Sequence, residues 1–221
     1  MDFIVKVLST EEVTHDVTCI RIEKPDGYSF TPGQATDVSI NKTGWDDQKR
    51  PFTFTALIDR PYLEFTIKCY VERDSVTKRM KDITKGDELI IGDAWGAIEY
   101  KGEGYFIAGG AGITPFIAIL RNLYRQNKIG NNKLFFSNKT SDDIIYKQEL
   151  SEMLSNNITN IITQGREEGY MHAYIDKSFL ETHVDDFSKK FYICGPDKMI
   201  ASINQILVNK GVKPETVIFE K

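Results

Sequence analysis

The fold turns on one stretch, Tyr105 to Leu120, "YFIAGGAGITPFIAIL". An apolar run reads as a buried strand and enters the cluster Gly109-Gly110-Ala111-Gly112. It then meets Thr114-Pro115 and resumes at helical spacing with Phe116, Ile117, Ile119, Leu120, Leu123 and Tyr124. Glycines between a strand and a helix allow a tight turn and let a ligand approach the backbone closely. Thr114 is expected to cap the helix. Pro115 suits its first position, where no N–H is needed. Unpaired N–H groups at such a helix start favour negative charge, so strand, turn and helix together make an anion site. Gly110-x-Gly112-x-x-Pro115 departs from GxGxxG in having proline where the third glycine stands. A tight turn without a ligand would use the same residues.

Working outward, residues after Lys101 alternate strand and helix. A strand at 105–108 is followed by a helix at 115–127, the strand "KLFFS" (133–137), a helical stretch at 146–155, and a strand within 156–164. The strand "KFYICG" (190–195), a helix at 197–210 and the strand "TVIFE" (216–220) complete the series. That rhythm predicts a doubly wound parallel sheet. Residues 1–101 read differently, as short β-rich segments: "FIVKVLS", "VTCIRIE", "ATDVSI", "PFTFTAL", "LEFTIKCYV" and "ELIIGDA". Turn signals at Pro25-Asp26-Gly27, Pro32-Gly33 and Thr43-Gly44 separate the earlier of these, and one short helix is expected near 75–82. Many short strands suggest an antiparallel barrel or sandwich. The expected architecture is two domains, 1–101 and 102–221, divided at "KGEG" (101–104).

Composition narrows the function classes. The 221 residues are 41% hydrophobic, enough for a packed core, and the net charge of −4 does not suggest a nucleic-acid partner. Cys19, Cys69 and Cys194 are odd in number and far apart, with no CxxC, so no zinc or iron–sulfur framework is legible; a reducing cytoplasm fits. No run reaches the roughly 18 apolar residues of a membrane helix, and the N-terminus alternates as a strand does, without a signal-peptide core. His15, His172 and His183 stand apart from one another, and no Ser–His–Asp arrangement is visible.

Two further stretches pair with the glycine cluster. Cys194-Gly195-Pro196 is a second glycine turn following an apolar strand. In an open parallel sheet both turns fall at carboxyl ends, where ligands bind, so the two are expected to face one cleft. In the first half, Arg50-Pro51-Phe52-Thr53 combines a cation for phosphate, an aromatic face for stacking and a hydroxyl for a ring edge. Ordinary strand residues with an exposed arginine, or a buried structural thiol at Cys194, give the same sequences.

Taken in order, "FTPGQ" (30–34), "RPFT" (50–53), "GDAWGAI" (92–98), "GGAGITPF" (109–116) and "CGP" (194–196) resemble the ferredoxin–NADP reductase superfamily over nearly the whole chain. The resemblance implies an N-terminal flavin-binding Greek-key β-barrel and a C-terminal NAD(P)-binding domain. It implies that Arg50 holds a flavin phosphate, that Pro51 and Phe52 lie along the ring and ribityl chain, and that Thr53 hydrogen-bonds near N5. Backbone from Lys68 through Tyr70 to Val71 would run beside the cofactor. Val76 and Thr77, in "RDSVTKRM", would stand where the family has a glycine-rich turn on the pyrophosphate. That segment has no glycine, which leaves FAD favoured over FMN without deciding between them.

By the same resemblance Gly110, Gly112 and Thr114 meet the nicotinamide nucleotide. Cys194, Gly195 and Pro196 flank the nicotinamide ring, and Asp197 caps the last helix rather than taking part in chemistry. Ser137, Asn138 and Lys139 occupy the end of the second strand, where a NAD site often has an acid; a hydroxyl and a cation suit the 2′-phosphate of NADPH, against which Asp142 and Asp143 follow closely, and a polar loop would use the same residues. Glu220 would sit near the flavin as a proton relay, a frayed terminal strand being the alternative; the family's aromatic after this acid is not seen. The implied activity is hydride transfer from NADPH or NADH to bound flavin, with Thr53, Cys194 and Glu220 nearest the chemistry. Electrons then leave to a diffusible acceptor such as ferredoxin or flavodoxin. The rival readings are a non-catalytic flavin-bearing relay or redox-sensing subunit, and a scaffold without flavin.

Overall fold

A computed structural model describes residues 1–70, 75–96 and 98–219. The chain divides into two compact units. One comprises Met1–Gly96 with Thr114–Ile119; the other comprises Ala97–Ile113 with Leu120–Lys221.

The first unit is built on an antiparallel sheet of six strands: β1 (Phe3–Thr14), β2 (Val17–Glu23), β3 (Ala35–Ile40), β4 (Arg50–Thr53), β5 (Tyr62–Lys68) and β6 (Glu88–Ile91). Their order is β4-β3-β6-β1-β2-β5. β1 is long because it serves two partners. Residues 3–6 pair with β6, and residues 7–14 pair with β2 past a register shift between Val7 and Ser9. Such a shift bends the strand and lets one sheet curl. The curl closes where Phe54, just beyond β4, bridges Phe65 of β5, and Thr55 N donates to Glu64 O at 2.8 Å. Closure removes the exposed edges that an open sheet would carry. Ile20, Ile22, Leu63, Phe65, Leu89 and Ile91 fill the interior at near-zero exposure. Phe30 stacks on Phe54 with centroids 4.4 Å apart.

One buried charge is answered across the strands. Glu64, 2% exposed, stands opposite Arg21 in the β2–β5 register, takes its Nε–H at 2.8 Å, and accepts from Thr55 Oγ1 at 3.0 Å. A buried carboxylate needs such partners to offset its lost hydration. The expected short helix is α1 (Val76–Arg79), followed by a 3₁₀ turn to Asp82, with Ser75 as its cap.

The second unit carries six parallel strands in the order β10-β9-β8-β7-β11-β12. They are β7 (Gly104–Gly109), β8 (Lys133–Asn138), β9 (Ile158–Ile162), β10 (Met171–His172), β11 (Lys190–Cys194) and β12 (Val217–Phe219). The helices that follow its strands in sequence are α2 (Thr114–Arg125), of which Thr114–Ile119 belongs to the first unit, α3 (Lys147–Leu154), α4 (Lys177–His183) and α5 (Asp197–Asn209). Tyr105, Ile107, Phe135, Ile161, Phe191 and Ile193 bury one sheet face against Phe179 and Leu180 of α4 and Ile203 and Leu207 of α5. The alternate residues Phe106, Leu134, Phe136 and Tyr192 are also fully buried. Burial on both faces explains why these strands read as unbroken apolar runs. Helix α3 is tied to α2 by Arg121, which grips both oxygens of Glu149 at 2.6 and 2.8 Å. Neither β10 nor α4 was expected from sequence. β10 is two residues long, and α4 announces itself only by Asp176, whose carboxylate caps Phe179 N at 2.9 Å.

The amino ends of the central strands are held by buried phenols. Tyr105 Oη accepts from Asp185 N at 3.1 Å and Asp186 N at 3.0 Å and donates to the Asp185 carboxylate, which also meets Lys133 Nζ at 2.9 Å. Tyr192 Oη accepts from Lys101 N at 2.8 Å and donates to Gly102 O at 2.7 Å. Burial, and for Tyr105 the bond to Asp185, pushes each phenol from 10.0 up to about 12. A folded-state value above the unfolded one means that this stabilisation is complete below pH 10 and is lost as pH rises towards 12. A tyrosinate absorbance titration of the native protein is therefore expected to leave two phenols un-ionised until about pH 12, with unfolding cooperativity lost over the same interval. Ionisation of every tyrosine in one step near the ordinary phenol value would contradict it.

Candidate functional site

Three of the five sequence motifs meet at one residue of the barrel, Ala35, which is 2% exposed. It is opposite Thr53 in the β3–β4 register and also forms a bridge to Trp95, giving its N–H to Trp95 O at 2.7 Å and accepting from Trp95 N at 2.8 Å. Beside it, Phe54 N donates to Gln34 O at 3.0 Å. The segments 30–34, 50–53 and 92–96 are thus brought into one patch of backbone, although about 60 residues of chain separate the first from the last. A tight turn at Gly33, with φ of 100°, starts this arrangement.

Within the patch the side chains divide by role. Arg50 is exposed, and among the described residues its guanidinium donates only to Lys49 O, at 2.8 Å. Pro51 is exposed and Phe52 half-buried, with its ring 6.4 Å from that of Phe65. Thr53 is 9% exposed, and its hydroxyl has no hydrogen bond among the described residues. A solvent-facing cation, an aromatic face and an unspent hydroxyl in sequence fit a phosphate-bearing aromatic cofactor.

Other residues expected at this site have different surroundings. Lys68 Nζ is paired with Asp16 at 2.7 Å, so its backbone rather than its charge is available. Tyr70 is 50% exposed. Val76 is fully buried in the barrel core, which leaves only its backbone for a ligand. Thr77 Oγ1 lies 3.0 Å from Ser75 Oγ, and Ser75, not singled out from sequence, is the residue that caps α1 by accepting from Lys78 N at 3.4 Å. Val71 and Glu220 lie outside the described residues.

The two remaining motifs meet in the second unit. The strand order reverses between β7 and β11, which are adjacent and pair from Lys190↔Gly104 to Cys194↔Ala108. Their carboxyl ends carry the two glycine turns, side by side. A Cβ on Gly112 would overlap the Cys194 carbonyl and lie 2.6 Å from Gly195 N. A Cβ on Gly109 would lie 2.9 Å from Met199 Sδ and from Pro196 Cδ, and one on Gly195 would lie 2.6 Å from Met199 Cε. These three glycines are required by contact between the turns themselves, with Met199 as the wedge that sequence reasoning overlooked. Gly110 differs: its φ is 52°, and nothing lies within 4 Å of its Cβ position. Close approach of a ligand to backbone is therefore open at Gly110.

Helix geometry departs from expectation in two details. The turn Gly110–Ile113 is already 3₁₀-helical, so Thr114 is the first residue of α2 and not its cap, with Pro115 in the first turn as expected. Asp197 is the first residue of α5 and makes no side-chain cap; its charge still lies at the favourable end of the helix. Cys194 is a buried thiol outside any disulfide, 6% exposed, and Pro196 is exposed.

At the end of β8, Ser137 is half-buried and opposite Gly109, and Lys139 is exposed. The nearby acids are unequal. Asp143 spends its carboxylate on Thr140, accepting from its N–H at 2.9 Å and its hydroxyl at 2.8 Å, whereas no such bond engages Asp142 among the described residues.

Comparison with known proteins agrees with this architecture. Residues 106–205 match the family described as the oxidoreductase NAD-binding domain. The chain is 25% identical to the reductase component of propane 2-monooxygenase from Rhodococcus jostii over 98% of its own length and 62% of that protein. It is 25% identical to NADH-cytochrome b5 reductase 1 of Eremothecium gossypii over 97% of its length and 81% of that protein. Some relatives are thus substantially longer than this chain. Among solved structures, a ferredoxin NADP+ reductase from Neisseria gonorrhoeae with bound FAD and NADP superposes with a TM-score of 0.86 at 17% identity, covering 99% of this chain and 98% of that one. The CS-b5R domains of human Ncb5or superpose with a TM-score of 0.87 at 21% identity, covering 100% of this chain and 70% of that one. A six-strand antiparallel barrel followed by a doubly wound parallel sheet is thus the fold this chain shares with the ferredoxin NADP+ reductase structure, and residues 106–205 carry the oxidoreductase NAD-binding domain.

Proposed function

We propose that this protein is an NAD(P)H-dependent flavoprotein reductase, with residues 1–101 as the flavin-binding domain and 102–221 as the NAD(P)-binding domain. The observation that carries the reading is the reversal of strand order at β7 and β11, with both glycine turns at that point. Ligands of open α/β sheets bind there. FAD is the favoured flavin. Bound flavin supplies the chemistry, accepting hydride from NADPH or NADH and releasing electrons to a separate acceptor.

The chain's own residues bind and orient. Arg50 offers a cation to a phosphate, Phe52 a stacking face, and Thr53 a hydroxyl to a ring edge. The backbone of Lys68, Tyr70 and Val71, and the amides at Val76 and Thr77, are the remaining contacts assigned to the flavin. Gly110, Gly112 and Thr114 start the helix that receives the nucleotide's phosphates. Cys194, Gly195 and Pro196 border the nicotinamide, with Cys194 too buried to act as a free nucleophile. Ser137 and Lys139 read the 2′ position, which favours NADPH because Asp143 has its charge engaged at Thr140. Glu220 is assigned the proton relay. The acceptor is separate and diffusible: a ferredoxin, a flavodoxin or a small oxidant. The reductase component and cytochrome b5 reductase names of the similar proteins support separate acceptors as a class. Among the described residues no helix is long and apolar enough to cross a membrane.

Anaerobic titration of the purified protein with NADPH and NADH in parallel tests the whole reading. Bleaching of the flavin's visible absorbance is expected, at lower concentration with NADPH. A colourless protein, or bound flavin that neither nucleotide reduces, would refute it. Arg50→Ala is expected to cost about 2 kcal/mol of charge-assisted phosphate binding, roughly thirtyfold in flavin affinity; unchanged flavin retention on dilution and filtration would remove Arg50 from the site. Lys139→Ala is expected to raise KM for NADPH about fivefold, the loss of roughly 1 kcal/mol from an exposed pair, and to leave KM for NADH unaltered. Equal effects on the two nucleotides would mean that Lys139 does not read the 2′-phosphate.

A further inference from the structure

Helix α5 leads a buried stripe up to the glycine turns. Ile203 and Leu207 are fully buried in the core of the second unit, and Met199 packs half-buried against the same core. Residues at every fourth position share one helix face, so Met199 heads this stripe. The first turn of α5 is bonded to the turn before it, Met199 N and Ile200 N donating to Pro196 O at 2.8 and 3.1 Å. The backbone of Met199 is thus held by the core below it and by the Cys194-Gly195-Pro196 turn beside it.

From there the side chain reaches between the two glycine turns. A Cβ on Gly109 would stand 2.9 Å from Met199 Sδ and 3.0 Å from Met199 Cε, and a Cβ on Gly195 would stand 2.6 Å from the same Cε. The thioether therefore rests against both glycine backbones at once. Sδ meets the end of β7, and the terminal methyl meets that end and the turn after β11. An unbranched, polarisable side chain suits an irregular gap of this kind. A shorter residue would leave a void between the turns, into which the backbone of Gly109 or Gly195 could relax.

We propose that Met199 is a positioning residue for hydride transfer: its thioether sets the separation of the two glycine turns and, through the turn at Gly195, the placement of the nicotinamide ring. The inference rests on the NAD(P)H-dependent reading of this protein and adds to it a residue that acts through its neighbours' backbone. Displacing a reacting group by about 1 Å costs on the order of a hundredfold in rate, so a gap the size of one methyl group is enough to be read.

The experiment is anaerobic stopped-flow reduction of the intact flavoprotein by NADPH and by NADH, beside thermal unfolding. It separates the limiting rate of flavin reduction from the apparent Kd of the nucleotide. Met199→Ala removes both contacts. It is expected to lower the limiting rate roughly tenfold with either nucleotide, to change Kd much less, and to leave flavin content unaltered. Met199→Leu keeps carbon at the level of Sδ and has nothing in place of Cε; its limiting rate is expected between those of Met199→Ala and wild type. A residue that merely fills space would lower the unfolding midpoint and leave the limiting rate alone. If Met199→Ala does not fold, Met199→Val serves for the same comparison. A limiting rate kept at the wild-type value in the truncated variant, a loss confined to Kd, or Met199→Leu as slow as Met199→Ala would overturn the inference and leave the functional reading intact. Wild-type flavin that neither nucleotide reduces would overturn both.

Discussion

The second unit depends on a contact between two backbones. Where β7 and β11 end, the chain must send two turns past each other in a space that admits no side chain at Gly112 and a distorted one at Gly109 or Gly195. The parallel register from Lys190↔Gly104 onwards brings the strands there in step, and the reversal of strand order at this pair opens the sheet's end. Any change that spreads the turns must also spread the strands. The turn after β7, the position of Cys194 and the start of α5 are therefore set together by close contact. Gly109, Gly112 and Gly195 make room for the neighbouring turn, and Gly110 differs from them in having open space at its Cβ position.

The barrel solves a similar problem with hydrogen bonds. Ala35 pairs on one side with Thr53 and on the other with Trp95, so the segments around it are locked by main-chain bonds that are indifferent to side-chain identity. Arg50 and Pro51 can therefore stand exposed without loosening β4, whereas Phe52 and Thr53 also pack inward. Glu64 is the contrasting case: a buried carboxylate wholly occupied with Arg21 and Thr55, structural in spite of its charge.

Much of this was legible in the sequence. Alternation and turn residues marked the barrel strands, and unbroken apolar runs marked a sheet covered on both faces, because those patterns are the direct imprint of burial. The order of five short motifs carried the family. What could not be read was contact between distant segments: that Met199 wedges the two glycine turns, that Lys68 is engaged by Asp16 and that Val76 faces the core; nor was Ser75 singled out as the cap of α1. Helix α4 escaped notice because seven residues hold too few turns for a periodic signal. Asn138 was read with Ser137 and Lys139 at the end of β8; that its amide is buried without a hydrogen-bond partner among the described residues shows only in the structure.

The parallel sheet has two dissimilar rims. At the amino rim the phenols of Tyr105 and Tyr192 and the cluster around Asp185 consume their hydrogen-bonding capacity internally. At the carboxyl rim glycine turns and an unbonded amide leave capacity over. The first rim is fastened by side chains reaching over the strand ends, the second by close contact of one backbone with another. A side-chain truncation can therefore loosen the first, whereas the second responds to side chains added at its glycines.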